Sequence, residues 1–148
     1  MQRKTRARRP LTPALSDDGR AILEGRTFAH LATVMPDGAP HSVPVWIGVD
    51  GDRLLMFTQT SSRKARNIEA DDRVAISAVD ASNPYRQCDL RGRVGRRLDG
   101  AAAQAVADDL AHKYTGAPFP WRSPHTVAYV ITPETCHGAD LPFTHEAR

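Results

Sequence analysis

The residues best suited to chemistry lie in one short stretch, in which hydroxyl side chains are followed directly by two cations. Thr58 and Ser62 flank a polar turn, and Arg63 and Lys64 come next. An apolar strand is predicted before this turn and a short helix after it, and the first turn of a helix offers unpaired N–H groups and a partial positive charge. Hydroxyl donors and two cations at that place favour binding of a phosphate or a carboxylate. Taken alone, the same residues are also compatible with an ordinary solvated turn.

Other reactive arrangements are absent from the sequence. The six histidines show no HxxxH or HExxH spacing, so a metal site is not expected, although His41 or His137 would be the candidates for a haem ligand. No GxSxG, GxGxxG or Walker motif is present. Cys88 and Cys136 lie far apart without CxxC spacing, so we expect no disulfide framework and a buried Cys88.

Positive charge is concentrated at the N-terminus. The chain of 148 residues suits one domain and has a net charge of +3, but residues 1–9 hold five cations and no acid, so the rest of the chain has a net charge of −2. We interpret residues 1–12 as a basic disordered arm. Since no basic stripe with interleaved aromatics follows, neither nucleic acid nor a membrane is expected as a partner. The absence of a secretory h-region, a long apolar span and a lipidation motif predicts a cytoplasmic protein.

Turn signatures divide the chain into short elements. Strands are predicted over 28–34, 40–49 and 53–59, and the turns Pro36-Asp37-Gly38 and Asp50-Gly51-Asp52 would join them into an antiparallel meander. The remaining predictions are a helix over 13–24 capped by Thr12 or Ser16, a helix over 63–70, strands over 73–79 and 86–98, a helix over 100–114 capped by Asp99, a proline-rich loop over 116–124, and a strand over 126–132. Six strands with helices at the edges indicate a mainly β (α+β) fold, a small antiparallel barrel.

The order of motifs resembles the pyridoxamine 5′-phosphate oxidase-like superfamily of flavin- and deazaflavin-binding proteins. The resemblance is carried by an opening hairpin, Phe-Thr-x-x-x-Ser-Arg-Lys-Ala-Arg-Asn-Ile, Asp-Arg-Val-Ala-Ile and a long glycine-containing strand, and it spans about residues 14–133. It implies an antiparallel split β-barrel of about six strands over residues 13–140, with a C-terminal tail over 141–148. It also implies a homodimer with the cofactor at the interface.

The resemblance also implies a set of site residues. The cofactor phosphate would be held by the anion-binding turn, which we define as Thr58, Ser62, Arg63 and Lys64, preceded by Phe57. The strand that borders the cofactor ring would be Val43, Pro44, Val45 and Trp46, and Gln87 would contact the cofactor from the partner subunit. Tyr85 and Trp121 are candidates for lining the substrate side, and Arg66, Lys113 and Arg122 are further cations that could meet an acidic cofactor tail.

Departures from the oxidase pattern narrow the implied function. True pyridoxamine phosphate oxidases have an Arg-x-x-x-x-Lys strand where this chain has Ser42 to Ile47, and they end in a Trp- and Arg-containing segment that is missing here. Vitamin B6 oxidation is therefore disfavoured, and the short form looks closer to the coenzyme F420-dependent reductases. The implied activity is hydride transfer between F420 and a small conjugated substrate, with no catalytic side chain because the cofactor carries the chemistry. An FMN-dependent oxidoreductase, a haem-degrading relative, a non-catalytic F420 or flavin carrier and a nucleic-acid accessory protein that uses the arm are the alternatives.

Overall fold

A computed structural model describes residues 14–144, which form a seven-stranded antiparallel sheet flanked by three helices. The helices are α1 (Asp17–Glu24), α2 (Arg63–Ala70) and α3 (Gly100–Thr115). The strands are β1 (Ala29–Val34), β2 (Pro40–Val45), β3 (Gly48–Asp50), β4 (Arg53–Gln59), β5 (Arg73–Val79), β6 (Arg86–Leu98) and β7 (Thr126–Asp140). The mainly β fold is confirmed. The proposed basic arm and Thr12 lie outside the described residues.

The predicted meander is wrong. The order in the sheet is β2-β1-β5-β6-β7-β4-β3, so the segment expected as one strand over 40–49 is two strands at opposite ends of the sheet. Residues 40–45 pair with β1, and residues 48–50 pair with β4. The count is therefore seven strands rather than about six.

The short link between β2 and β3 requires the sheet to curl into a split barrel. Only Trp46 and Ile47 separate the two edge strands, and a chain extends by only about 3.3–3.6 Å per residue. The two ends of the sheet must therefore lie close together, which requires the sheet to curl. Ile47 is completely buried at this junction.

The last strand is longer than the sequence pattern indicates. It was predicted to end at residue 132, but β7 continues through Pro133 to Asp140 because the whole length of β6 pairs with it. Pro133 cannot donate to the ladder, and the register shifts where it faces Gly92. A Cβ at Gly92 would overlap the Thr132 carbonyl oxygen, so this close approach requires glycine.

Helices α1 and α2 begin at side-chain caps, whereas α3 does not. α1 begins at Asp17 rather than at residue 13, because the Ser16 hydroxyl accepts a hydrogen bond from the Gly19 N–H at 3.1 Å. Asp99 occupies the N-cap position of α3 but makes no side-chain cap; its carboxylate accepts from Arg97 instead. No helix within residues 14–144 is long and apolar enough to span a membrane.

Two apolar clusters organise the interior. The larger fills the barrel and includes the fully buried Leu31, Leu54 and Ile131, while the smaller lies between α3 and the outer face of β4. Cys88 belongs to the barrel core as predicted, and burial raises the pKa of its thiol to about 11. Strand β4 separates the clusters, because Leu54, Met56 and Thr58 point inward while Leu55 and Phe57 point towards α3.

Candidate functional site

A groove of about 370 Å³ lies where β4 ends, near the junction of β2 and β3. It brings together six residues from the predicted set: Pro44, Val45, Trp46, Phe57, Thr58 and Lys64. Phe28, Gln59 and Phe119 complete its lining. A volume of this size lies within the roughly 300–1,000 Å³ typical of small-molecule sites.

Hydrogen bonds in the turn after β4 leave one hydroxyl donor available to a ligand. The Ser62 hydroxyl oxygen accepts from the Ala65 N–H at 3.2 Å, which caps α2, and from the Thr58 hydroxyl at 3.0 Å. A hydroxyl has two lone pairs and one hydrogen. Both acceptor positions of Ser62 are therefore used, and its remaining hydrogen can be donated to an acceptor such as a phosphate or carboxylate oxygen. Thr58, predicted to contact the phosphate directly, orients Ser62 here.

Positive charge at this turn is not neutralised within the described residues. Arg63 and Lys64 are partly buried at the start of α2, whose first turn contains no acid. Neither residue has an ion-pair partner among residues 14–144. Burial lowers the pKa of the Lys64 amine, because the charged form loses water that no acid replaces. An anionic ligand at Ser62 and Lys64 would restore this lost interaction.

Helix α2 is fixed to the barrel by Asn67, a residue of the quoted motif to which sequence reasoning assigned no role. Its amide nitrogen donates to the Thr33 hydroxyl at 3.0 Å, and the residue is only 1 % exposed. Thr33 is 2% exposed, so this buried hydrogen bond joins α2 to β1. The only signal of this role in the sequence is the position of Asn67, one helical turn after Arg63 and Lys64.

A chain of aromatic contacts forms one wall of the groove. Six of the nine aromatic residues make it up, in the order Phe28, Tyr114, Trp46, Phe57, Phe119 and Trp121. The Tyr114 and Trp46 rings stack with centroids 5.2 Å apart and planes inclined by 5°. The Phe57 and Phe119 rings meet edge to face at 4.9 Å. These contacts give the groove an apolar aromatic wall next to its cationic end.

Comparison with known proteins identifies the family. The family model described as pyridoxamine 5′-phosphate oxidase matches residues 15–139. The chain belongs to this family. Its structure is similar to a solved F420 reductase, with 32% identity, a TM-score of 0.72 and coverage of 80% of this chain and 94% of the reductase.

Two more distant structures share the fold. A conserved hypothetical protein from Mycobacterium tuberculosis is 22% identical, with a TM-score of 0.71 and coverage of 99% of this chain and 98% of that one. A heme binding protein from Mycobacterium smegmatis is 23% identical, with a TM-score of 0.66 and coverage of 88% of this chain and 55% of that one. No curated protein matches this member of the oxidase family.

The other predicted site residues lie outside the groove. Val43 packs against the barrel core, and Ser62 and Arg63 belong to the anion-binding turn but do not line the groove. Gln87 is exposed and lines a separate cavity beside β5 and β7. Tyr85 packs on Phe143 at 5.2 Å instead of joining the aromatic wall. Trp121 ends the aromatic wall and is 68% exposed.

Of the three cations that could meet an acidic cofactor tail, two already have partners within the chain. The Lys113 amine donates to the carbonyl oxygens of Leu23 and Ile47 at 2.7 and 2.6 Å. Arg122 pairs with Asp108 at 2.6 Å. Arg66 is exposed on α2 and has no ion-pair partner within the described residues.

A larger cavity lies elsewhere, but its cations are paired or exposed. It measures about 490 Å³ and is lined by residues of β1, β5, β6 and β7, including Arg73, Arg91 and Arg93. Arg73 pairs with Asp71 at 2.7 Å, and Arg93 pairs with Asp72 at 2.8 Å. Arg91 has no ion-pair partner within residues 14–144, but it is exposed, so water solvates its charge, whereas Lys64 is partly buried. We therefore take the smaller groove as the candidate site.

Proposed function

We propose that the protein is a coenzyme F420-dependent oxidoreductase, which transfers a hydride between the deazaflavin and a small conjugated organic substrate. The observation that carries the proposal is Lys64, a partly buried cation with no acidic partner among residues 14–144, which lines an apolar groove beside the Ser62 hydroxyl. A phosphate fits this end of the groove because Ser62 can donate and Lys64 can neutralise charge. The apolar side chains of Trp46 and Phe57, whose ring planes are inclined by 58°, would pack against a planar ring in the rest of the groove.

F420 is favoured over FMN by the charge of α2 and by the similarity to an F420 reductase. Arg63, Lys64 and Arg66 place three cations in the first turn of this helix, without an acid. F420 carries acidic glutamates beyond its phosphate, whereas FMN carries only the phosphate. FMN remains the alternative cofactor, since the groove and the Ser62 donor would serve either.

The chain's own residues would bind and orient the cofactor. The bound deazaflavin would supply the hydride chemistry. Lys64 and Ser62 would hold the phosphate, and the backbone of residues 43–46 would border the ring. Trp46 and Phe57 would exclude water from the ring face, which protects a hydride from loss to solvent.

We further propose that the functional unit is a homodimer. Gln87 and the groove do not share a cavity within one chain. The contact between Gln87 and the cofactor would therefore come from the second copy of the chain, as the resemblance to the family implies. Tyr85, two residues earlier, would reach the substrate side by the same route.

Paired equilibrium titrations with F420 and with FMN test the cofactor assignment, using the full chain and its Lys64→Ala variant. Tight F420 binding with weaker FMN binding, both reduced by Lys64→Ala, is the expected result. Preference for FMN would move the protein to the flavin branch, and binding of neither would refute the cofactor site.

A screen of conjugated ketones and quinones with reduced F420 then separates an enzyme from a carrier. Oxidation of the cofactor at a rate above the protein-free control supports the reductase. Tight binding without turnover of any acceptor supports the non-catalytic carrier instead.

A further inference from the structure

The loop over residues 116–125, which joins α3 to β7, contributes the outer part of the aromatic wall. Phe119 lines the groove, and its ring packs on Phe57 and on Trp121. The loop contains three prolines, Pro118, Pro120 and Pro124, which limit its backbone freedom. Its conformation therefore affects the shape of the groove directly.

One carboxylate on α3 holds the middle of this loop. Asp108 Oδ1 accepts from the Phe119 N–H at 3.1 Å and from Arg122 Nη1 at 2.6 Å. The Gln104 amide donates to the same oxygen and to the Trp121 carbonyl, each at 3.3 Å. The bond from Arg122 is the main reason that the pKa of the Asp108 carboxyl lies below its ordinary value, so the carboxylate is charged at neutral pH.

The far end of the loop is held by the strand that leads to the anion-binding turn. The Gln59 side chain accepts from the Ser123 hydroxyl and donates to the Thr126 hydroxyl, each at 3.2 Å. The Thr60 N–H donates to the His125 carbonyl at 2.9 Å. The loop is thus fixed at its middle through α3 and at its far end through β4.

The geometry points to Asp108 as a positioning residue, which fixes Phe119 against Phe57 and thereby shapes an apolar subsite for a neutral ring. Asp108 does not line the groove, so its effect on a ligand must pass through the loop. Without the carboxylate, the Phe119 N–H and the Arg122 guanidinium lose their acceptor, and the loop can move away from α3. This inference rests on the proposed function only in taking the groove as a ligand site.

Hydrogen exchange on the full chain tests the positioning directly. Asp108→Ala is compared with wild type and with Asp109→Ala, which removes the neighbouring carboxylate, an exposed group with no hydrogen bond within the described residues. Asp108→Ala removes three hydrogen bonds to one carboxylate oxygen, and the loss of a single charge-assisted bond already predicts exchange of the 116–125 segment faster by about tenfold or more. Unchanged exchange of β4 and α2 would show that the fold is retained, and Asp109→Ala should match wild type. Equal protection of the loop in Asp108→Ala and wild type would overturn the inference.

Binding of the neutral fluorescent probe N-phenyl-1-naphthylamine tests the subsite. We expect its Kd to rise about fivefold or more in Asp108→Ala, while the Kd of whichever cofactor binds changes less than about twofold, because the anion-binding turn is intact. A parallel loss of both affinities would indicate a general structural defect and overturn the inference. Failure of wild type to bind the probe would overturn the subsite. Failure to bind F420 and FMN would refute the proposed function but leave the loop result standing.

Discussion

Replacement of Lys64 tests the candidate site most directly, because two effects of opposite sign are expected. Lys64 is a partly buried cation without an acidic partner among residues 14–144, so its charge has a desolvation cost in the absence of ligand. Lys64→Met keeps the apolar stem and removes the charge. Without cofactor, we expect the variant to be at least as stable as wild type. With cofactor, we expect it to bind more weakly.

The magnitude of the binding loss follows from the chemistry of the contact. A hydrogen bond to a charged group contributes about 1.5–3 kcal/mol, which corresponds to a Kd higher by about 10- to 150-fold. Isothermal titration at moderate salt measures the Kd. Thermal unfolding provides a second measure, because a ligand at about 100 times its Kd stabilises by about 2.7 kcal/mol. A gain of that size raises the Tm of a 148-residue chain by about 5–10 °C.

Arg53→Ala is the matched control for this prediction. Arg53 is an exposed cation at the start of β4, seven residues long, so it lies roughly 20 Å from the turn that follows the strand. Charges separated by more than about 10 Å are largely screened at ordinary ionic strength. Equal loss of affinity in Arg53→Ala and Lys64→Met would refute a local contact, and so would unchanged affinity in Lys64→Met. Marked destabilisation of the ligand-free variant would contradict the desolvation argument.

Three further predictions concern stability. Asn67→Ala should lower the free energy of unfolding by about 1–3 kcal/mol, because it leaves the buried Thr33 hydroxyl without its donor; urea denaturation measures this, with exposed Arg66→Ala as the control. Gly92→Ala should destabilise by about 1–3 kcal/mol or more because its Cβ would overlap backbone. Gly95→Ala should cost much less, since its Cβ would meet only the Thr132 side chain at 3.2 Å, and comparison of the two variants in urea checks this. Burial lowers the pKa of Lys113 to about 8, so between about pH 8 and pH 10.5 the unfolded chain binds more protons at this group, which contributes stability that rises with pH. The buried Cys88 thiol, with a pKa of about 11, acts in the opposite direction above about pH 9, so urea denaturation should show a less favourable change of stability with pH in Lys113→Met than in wild type.

Local signals predicted the bounds of four elements. The helix over 63–70 and the strands over 53–59, 73–79 and 86–98 begin and end where the structure has them. Each of these elements shows an alternating pattern or a polar cap, and turn residues mark where it stops. Residues close together in the sequence are therefore enough to predict its bounds. The motif after residue 57 also placed Thr58 and Lys64 correctly in one turn, and the structure adds that both line the same groove.

Pairings over long sequence separation were not predictable in this way. The segment 40–49 is uniformly strand-like, and nothing within it shows that its halves pair with different partners. The predicted strand ends at residue 132, whereas residues 133–140 continue β7 because β6 offers them a pairing partner along its whole length. The contact between Asp108 on α3 and Phe119 in the following loop has no signal in the sequence. It joins residues 11 positions apart through one backbone N–H, which every residue except proline has.

Tyr114 shows why the groove and the closure of the barrel cannot be separated. Its hydroxyl donates to the Thr27 carbonyl at 2.7 Å and accepts from the Ile47 N–H at 3.2 Å, so it joins the segment before β1 to the junction of β2 and β3. Its ring stacks on Phe28 and Trp46, the residues next to those two partners. The same side chain therefore holds the sheet ends together and orients two side chains that line the groove. A ligand that packs on Trp46 binds a surface that exists only when the barrel is closed, so its binding energy adds directly to the stability of closure.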